Sequence, residues 1–175
     1  MDKIDALIKE LTLEEKVSIL SGSDSWHTTA VERLSIPRIK MTDGPNGARG
    51  DGVSKVSSAC YPNGSALAST WNTDLIEELG KSLGREAKSK DADVLLGPTI
   101  NIHRHPLGGR HFECYSEDPF LTGLVTVAYV KGVQSEGVAA CIKHFVGNDT
   151  EYQRHTVSSN IKPRPLREIY LLPFE

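Results

Sequence analysis

The residues of this sequence that could do chemistry fall in three separate segments. The first carries Asp43 and Arg49, the second carries Arg110, and the third carries the adjacent pair Lys143 and His144. An apolar stretch runs directly into this pair, and an ammonium group at such a place is costly to desolvate without a partner. Carboxylates accept hydrogen bonds and Arg, Lys and His donate them, which is the mixture that the hydroxyl groups of a sugar require. The three segments together therefore favour carbohydrate recognition.

Other kinds of site fit the sequence less well. The glycines around Gly44 and Gly47 do not follow the spacing of nucleotide-binding loops, so they indicate tight turns. No carboxylate or cysteine completes a zinc-binding pattern around three neighbouring histidines. These histidines are His103, His105 and His111. We therefore expect neither a metal nor a cofactor, and a metal-dependent hydrolase built on the histidines stays a distant alternative.

Nucleophilic catalysis by cysteine or serine is also disfavoured. Cys141 precedes Lys143 closely, but the surrounding apolar run predicts a buried structural thiol. The sequence contains no G-x-S-x-G segment, which would mark a serine nucleophile on a strand-to-helix turn.

Composition limits the classes of partner. The chain has 175 residues and a net charge of −3, so nothing predicts binding to nucleic acid or to an anionic membrane surface. No apolar run approaches the roughly 18 residues of a membrane span. The amino-terminal stretch is amphipathic and unlike a signal peptide, and three cysteines are too few for a disulfide scaffold. We expect a cytoplasmic protein.

Strands and helices alternate along the predicted chain. Strands are expected near residues 39–41, 94–96 and 138–142, and a helix with an apolar stripe precedes each of the last two. Such alternation predicts parallel strands joined by crossover helices, with the loops after the strands meeting at one edge of the sheet. The three charged segments are these loops, which is the strongest physical signal in the sequence.

Local signals define the predicted helices. Thr12 and Glu15 have capping-box spacing, and Gly22 should end the helix that they begin. Asn72 or Thr73 should cap the second helix, and Asp118 the third. The apolar stripes of the second and third helices consist of Leu75, Ile76, Leu79, Leu83, and of Leu121, Leu124, Val125, Ala128, Tyr129. Another helix should begin within RPLREIYLLPFE.

Four long segments resemble, in order and spacing, the amino-terminal barrel domain of glycoside hydrolase family 3, and in particular its β-glucosidases. These segments are MTDGPNGARG, LLGPTINIHRHPLGGRHFECYSEDPFLTG, IKHFVGNDTEYQRH and LREIYLLPFE. The resemblance implies that residues 1–175 are the amino-terminal part of a (β/α)8 barrel, an α/β fold of the TIM-barrel type. About three strand-loop-helix units of that barrel would be present.

The resemblance also implies site residues and an activity. Members of the family release glucose from the non-reducing ends of β-linked substrates with retention of configuration. Residues that match the sugar-binding positions of the family are Asp43, Arg49, Arg110, Lys143 and His144, with Arg104 and Arg154 as further candidates. Glu113 matches a recurrent position that is expected to brace the pocket.

The catalytic pair of the family has no counterpart in the sequence. A retaining glycosidase needs two carboxylates about 5 Å apart, and the resemblance places the nucleophile and the acid/base beyond residue 175. We therefore expect a β-glucosidase-type chain that binds sugar but is inactive alone, with later domains as partners. A non-catalytic carbohydrate-binding or scaffold fragment is the alternative. An incomplete barrel is also expected to self-associate through its exposed strand edges.

Overall fold

A computed structural model of the chain describes residues 3–50 and 57–175. Its sheet has three parallel strands in the order β1 (Met41–Asp43), β2 (Val94–Leu96) and β3 (Ala139–Ala140). Met41 lies opposite Val94, and Val94 lies opposite Ala139. The prediction of parallel strands joined by crossover helices is confirmed. Each outer strand is paired on one side only within the described residues.

Two strands differ from their predicted bounds. β1 begins at Met41 rather than at Ile39, so Asp43 is the last residue of the strand and not part of the loop. β3 is shorter than predicted, and the prediction of a buried thiol at Cys141 is wrong because this residue is exposed. Side chains alternate between the two faces of a strand, so Cys141 lies on the face of Ala139, which is also exposed. The backbone of Cys141 still pairs with β2, because its N–H donates to the carbonyl of Leu95 at 2.9 Å.

The helices follow the predicted order, with two additions that the sequence analysis did not include. The five main helices are α1 (Lys3–Glu10), α2 (Leu13–Ser21), α3 (Gly64–Ala68), α4 (Thr73–Lys88) and α5 (Pro119–Ser135). The two additions are α1 and α3. Consecutive helical turns follow near the end of the chain at Pro163–Pro165, Leu166–Leu171 and Leu172–Phe174. None of the helices within the described ranges is long and apolar enough to span a bilayer.

The predicted helix caps are observed. Thr12 and Glu15 form a reciprocal capping box at the start of α2, and Gly22 ends that helix with a positive φ of 78°. Asn72 caps α4 by accepting from the N–H of Leu75, and Asp118 caps α5 in the same way. These side chains accept from N–H groups that the helix itself leaves without a partner.

The core lies between the sheet and the packed pair α4 and α5. Ile76 and Leu83 of α4 are fully buried, as are Tyr129 and Val133 of α5. Leu75 and Leu124, which the apolar stripes place in the core, are instead 48% and 46% exposed. Small residues take the central contact between the two helices, so the backbones approach more closely than Leu side chains would allow. Two of these residues are Gly80 and Gly132.

Candidate functional site

Asp43 occupies the carboxyl end of β1, where the chain leaves the sheet in a tight turn. Gly44 follows it with a φ of 121°, and a Cβ added there would lie 1.9 Å from the carbonyl oxygen of Gly47. Only glycine fits such a turn without strain. The turn continues until the N–H of Arg49 donates to the carbonyl of Asp43 at 2.8 Å. The local sequence thus returns the arginine to the aspartate that precedes it.

Two cations from different loops meet at the Asp43 carboxylate. Lys143 Nζ donates to Asp43 Oδ1 at 2.6 Å, and the Arg49 guanidinium contacts Asp43 Oδ2. Burial alone would raise the pKa of Asp43, but the hydrogen bond and charge of Lys143, with Arg49, outweigh it and hold the pKa below its ordinary value. The carboxylate is therefore ionised, and it is the partner that the ammonium group of Lys143 requires at the end of its apolar stretch.

Arg110 is fixed by a carboxylate on its own turn of 3-10 helix. The Arg110 guanidinium pairs with Glu113, which is 6% exposed and also accepts a 2.7 Å hydrogen bond from the hydroxyl of Thr99. Glu113 therefore links the end of β2 to the loop that carries Arg110. This arrangement agrees with the bracing position expected for Glu113.

Glu151 is a member of the site that the sequence analysis missed. Its carboxylate lies 2.7 Å from Arg154 and 3.8 Å from Arg110, so it joins the two arginines of different loops. The ion pair of Glu151 with Arg154 could have been predicted, because the two residues are three positions apart in the sequence. The ion pair of Glu151 with Arg110 joins residues far apart in sequence and has no such signal.

His144 is oriented by Asn101, which the sequence analysis also missed. The backbone N–H of His144 donates to Asn101 Oδ1 at 2.9 Å, and Asn101 Nδ2 donates to the His144 carbonyl at 3.0 Å. Burial and the nearby charges of Arg110 and Lys143 lower the pKa of His144. The imidazole is therefore neutral near pH 7, where it can both donate and accept a hydrogen bond. The Lys143–His144 and Phe145–Val146 peptide bonds are cis.

An open pocket of about 540 Å³ gathers most of these side chains. Four of the predicted residues line it, namely Asp43, Arg49, Arg110 and Arg154. Lys143 does not line this pocket but contacts Asp43, which does. His144 lines a smaller neighbouring pocket, and Arg154 lines both. Asp43, Arg49, Arg110, Arg154 and His144 thus line two adjoining pockets, and whether they bind sugar stays a prediction.

Arg104 lies apart from this group. It lines a third pocket together with His103 and Asp118, on the side of α5. The loop after β2 is long enough to carry Arg104 and Arg110 into different pockets. Among residues 3–50 and 57–175, no hydrogen bond or ion pair joins Arg104 to Asp43, Arg49 or Lys143.

The three histidines of the distant metal alternative contact backbone atoms. His103 Nε2 lies 2.9 Å from the carbonyl oxygen of His111, and His111 Nε2 lies 2.5 Å from that of His105. Each of these two ring nitrogens is thus engaged as a donor. Within residues 3–50 and 57–175, no group of three His, Cys, Asp or Glu residues is arranged to hold a metal ion.

Residues 6–175 match the sequence profile of the glycosyl hydrolase family 3 N-terminal domain. The chain belongs to glycosyl hydrolase family 3. Its three parallel strands and crossover helices are accordingly a partial barrel of the TIM type, as the sequence predicted.

Similar proteins with this family 3 domain include several β-glucosidases. The chain is 61% identical over 174 residues to a β-glucosidase of Rhizobium radiobacter, covering 98% of this chain and 21% of the relative. It is similar to the crystal structure of the Kluyveromyces marxianus β-glucosidase in complex with glucose, with a TM-score of 0.94 and 51% identity over 99% of this chain and 21% of that one. For β-glucosidase 3B of Thermotoga neapolitana in complex with α-D-glucose, the TM-score is 0.90 at 42% identity, with 99% and 27% coverage. The chain spans about a fifth of the length of the curated relatives that it matches.

The lowered pKa of Asp43 in this family 3 domain predicts how its ion pair responds to acid. A depressed folded-state pKa contributes stability that is present above the unfolded-state pKa and is lost as the pH falls through the folded value. We therefore expect the stability difference between the wild type and Asp43→Asn to stay constant down to about pH 4 and to shrink below it. Urea unfolding of both proteins from pH 7 to 3 measures this difference. A difference that already declines between pH 7 and 5 would contradict the ion pair.

Proposed function

We propose that this chain forms the sugar-binding part of a β-glucosidase and binds the terminal β-linked glucose of its substrate. The observation that carries the proposal is the convergence of Lys143 and Arg49, from two strand ends, on Asp43, which lines the open pocket together with Arg49. The Asp43 carboxylate would accept from sugar hydroxyls, and Lys143 and Arg110 would donate to them. Two solved structures similar to this chain contain glucose, which supports the choice of ligand.

The charges around the pocket favour a neutral ligand. Lys143 and Arg49 face Asp43, while Arg110 and Arg154 face the carboxylates of Glu113 and Glu151. Because these four cations are paired with three carboxylates, only one positive charge remains to attract an anionic ligand. A polyol can join such a network by exchanging hydrogen bonds for those with water.

The carboxylates of this site are poorly suited to be the catalytic pair. Of the described residues that line the main pocket, Asp43 and Glu113 are the carboxylates, and each is already bound by an Arg or Lys partner. A general acid needs a raised pKa. Burial does raise the pKa of Asp149, against a hydrogen bond from Tyr170, but Asp149 does not line this pocket. We therefore propose that the nucleophile and the acid/base are supplied by other segments of a longer protein.

The proposal predicts a difference between this chain and the full-length protein that contains it. The 175-residue chain should hydrolyse p-nitrophenyl β-glucoside no faster than buffer, because it contributes binding groups without the reacting carboxylates. The full-length protein should hydrolyse it, and its activity should be inhibited competitively by glucose. Measuring p-nitrophenol release by both proteins at equal concentration tests the proposal.

Two results would contradict it. Hydrolysis by the 175-residue chain alone would show that the reacting carboxylates lie within it. A full-length protein that binds glucose but cleaves no β-glucoside would favour a carbohydrate-binding module instead.

A further inference from the structure

Two residues outside the pocket hold two segments of its wall, here called the limbs, which are residues 48–49 and 58–60. Glu86 and Lys90 lie at the end of α4 and just beyond it, and their side chains are 13% and 4% exposed. Both reach the segments on either side of residues 51–56, namely the stretch that leads to Arg49 and the stretch that begins at Ser58. Neither Glu86 nor Lys90 lines the pocket.

Each oxygen of the Glu86 carboxylate accepts a hydrogen bond from a different limb. Oε2 accepts from the N–H of Ala48 at 2.9 Å, and Oε1 accepts from the N–H of Ala59 at 2.6 Å. Ala48 is fully buried, so its N–H would otherwise lack a hydrogen-bond partner. A single carboxylate therefore fixes the spacing between the two limbs.

Lys90 adds bonds to the same two limbs. Its ammonium group contacts the carbonyl of Ala48 and donates to the Ser58 hydroxyl at 2.9 Å, and it lies 3.4 Å from Glu86. The Ser58 hydroxyl in turn donates to the carbonyl of Ala48 at 2.7 Å. We call Glu86 and Lys90 together the clamp. Its two charges neutralise each other, and its side chains form hydrogen bonds with backbone groups of Ala48 and Ala59.

The limbs that the clamp holds carry the wall of the pocket. Arg49, the residue after Ala48, contacts Asp43 through its guanidinium and donates its N–H to the Asp43 carbonyl at 2.8 Å. On the other limb, Ser58, Ala59 and Cys60 line the pocket directly. A shift of either limb would move these groups relative to Asp43.

We infer that Glu86 and Lys90 are positioning residues for the sugar-binding pocket, acting through Arg49 and the Ser58–Cys60 wall. This inference rests on the function proposed above. The clamp positions groups that bind the sugar and contacts no reacting atom. Its loss therefore affects substrate binding more than bond cleavage. A purely structural role would lower stability without this selective effect.

The test compares Glu86→Gln with Glu78→Gln in the full-length protein, using p-nitrophenyl β-glucoside. A glutamine at 86 has one acceptor oxygen and so can hold only one of the two N–H groups. We expect KM, and the inhibition constant of glucose, to rise about tenfold while kcat changes less than about threefold. Glu78 pairs with Lys81 on the exposed side of the same helix, so Glu78→Gln should leave both constants unchanged.

The possible results separate the inference from the proposed function. If Asp43→Ala loses activity but Glu86→Gln keeps the wild-type KM, or loses kcat alone, the inference is wrong and the proposed function stands. If Asp43→Ala retains wild-type kinetics, the proposed function itself fails. Should Glu86→Gln not fold, Lys90→Met replaces it. This variant keeps both bonds of Glu86, so a KM raised about threefold supports the inference and a wild-type KM overturns it.

Discussion

Replacement of Asp43 by alanine is expected to reduce kcat/KM for a β-glucoside at least about 100-fold in the full-length protein, because hydrogen bonds to a charged acceptor are the strong ones in such a site. The carboxylate is ionised and held in place by Lys143 at 2.6 Å and by Arg49. Its removal takes away the acceptor for the sugar hydroxyls and also releases both cations. Steady-state kinetics and calorimetric titration with glucose measure the loss.

A control separates binding from folding. Asp24→Ala removes a carboxylate that is also ion-paired, with Arg38, but that does not line the pocket, so it should leave kcat/KM unchanged. Asp43→Ala also leaves the ammonium of Lys143, which is 14% exposed, without its carboxylate. Adding Lys143→Met should recover part of any lost stability without restoring glucose binding. Recovery of binding in this double variant would contradict the role given to Asp43.

Replacement of Gly132 by alanine should lower the free energy of unfolding by about 3 kcal/mol, more than any other substitution proposed here. A Cβ at this position would lie 2.2 Å from the carbonyl oxygen of Glu77 and 2.8 Å from the Cα of Gly80, both in the backbone of α4. Backbone atoms cannot move aside as the end of a flexible side chain can, so α4 and α5 must separate. Tyr129 of α5 donates to the carbonyl of Pro45 at 3.0 Å, so separation would also disturb the turn after Asp43.

The matched control lies on the same helix. At Gly123 an added Cβ would meet its nearest neighbour, the Cα of Pro173, at 3.8 Å, which is an ordinary contact. Gly123→Ala should therefore stabilise the protein by about 0.5 to 1 kcal/mol, because alanine is the better helix former. Urea titrations of the wild type and both variants measure these changes. Equal stability of Gly132→Ala and the wild type would show that the two helices do not meet at this glycine.

The sequence was sufficient to predict which loops meet, because the carboxyl ends of parallel strands share one edge of a sheet. Asp43 and Lys143 are a hundred residues apart, yet Asp43 ends β1 and Lys143 follows β3, and their side chains form an ion pair. Helix caps were equally predictable, since Asp118 and Asn72 act on backbone groups only a few residues away. The order of strands and helices, and contacts between residues close in sequence, can thus be predicted from the sequence.

Contacts from a side chain to a distant backbone group were not predictable. Asn101 orients His144 through its backbone, and Glu86 holds the N–H groups of Ala48 and Ala59. Any residue except proline offers the same N–H group, so its position leaves no trace in the sequence. Arg104 was assigned to the site by resemblance alone, and the length of its loop places it in a different pocket.

The apolar stripes predicted the helix faces only in part. α5 is apolar on most sides, so the sequence could not distinguish the exposed Leu124 from the buried Val125. The buried face is defined instead by the close contact at Gly132, which a search for large apolar residues overlooks.

The most direct test of the account is a crystal structure of the full-length protein with glucose. We predict that glucose occupies the pocket lined by Asp43, Arg49 and Arg110, with two of its hydroxyls about 2.6 to 3.1 Å from the Asp43 carboxylate. Lys143 should remain bound to Asp43 and donate to a hydroxyl as well. Glucose bound at any other place, without contact to Asp43, would contradict the account.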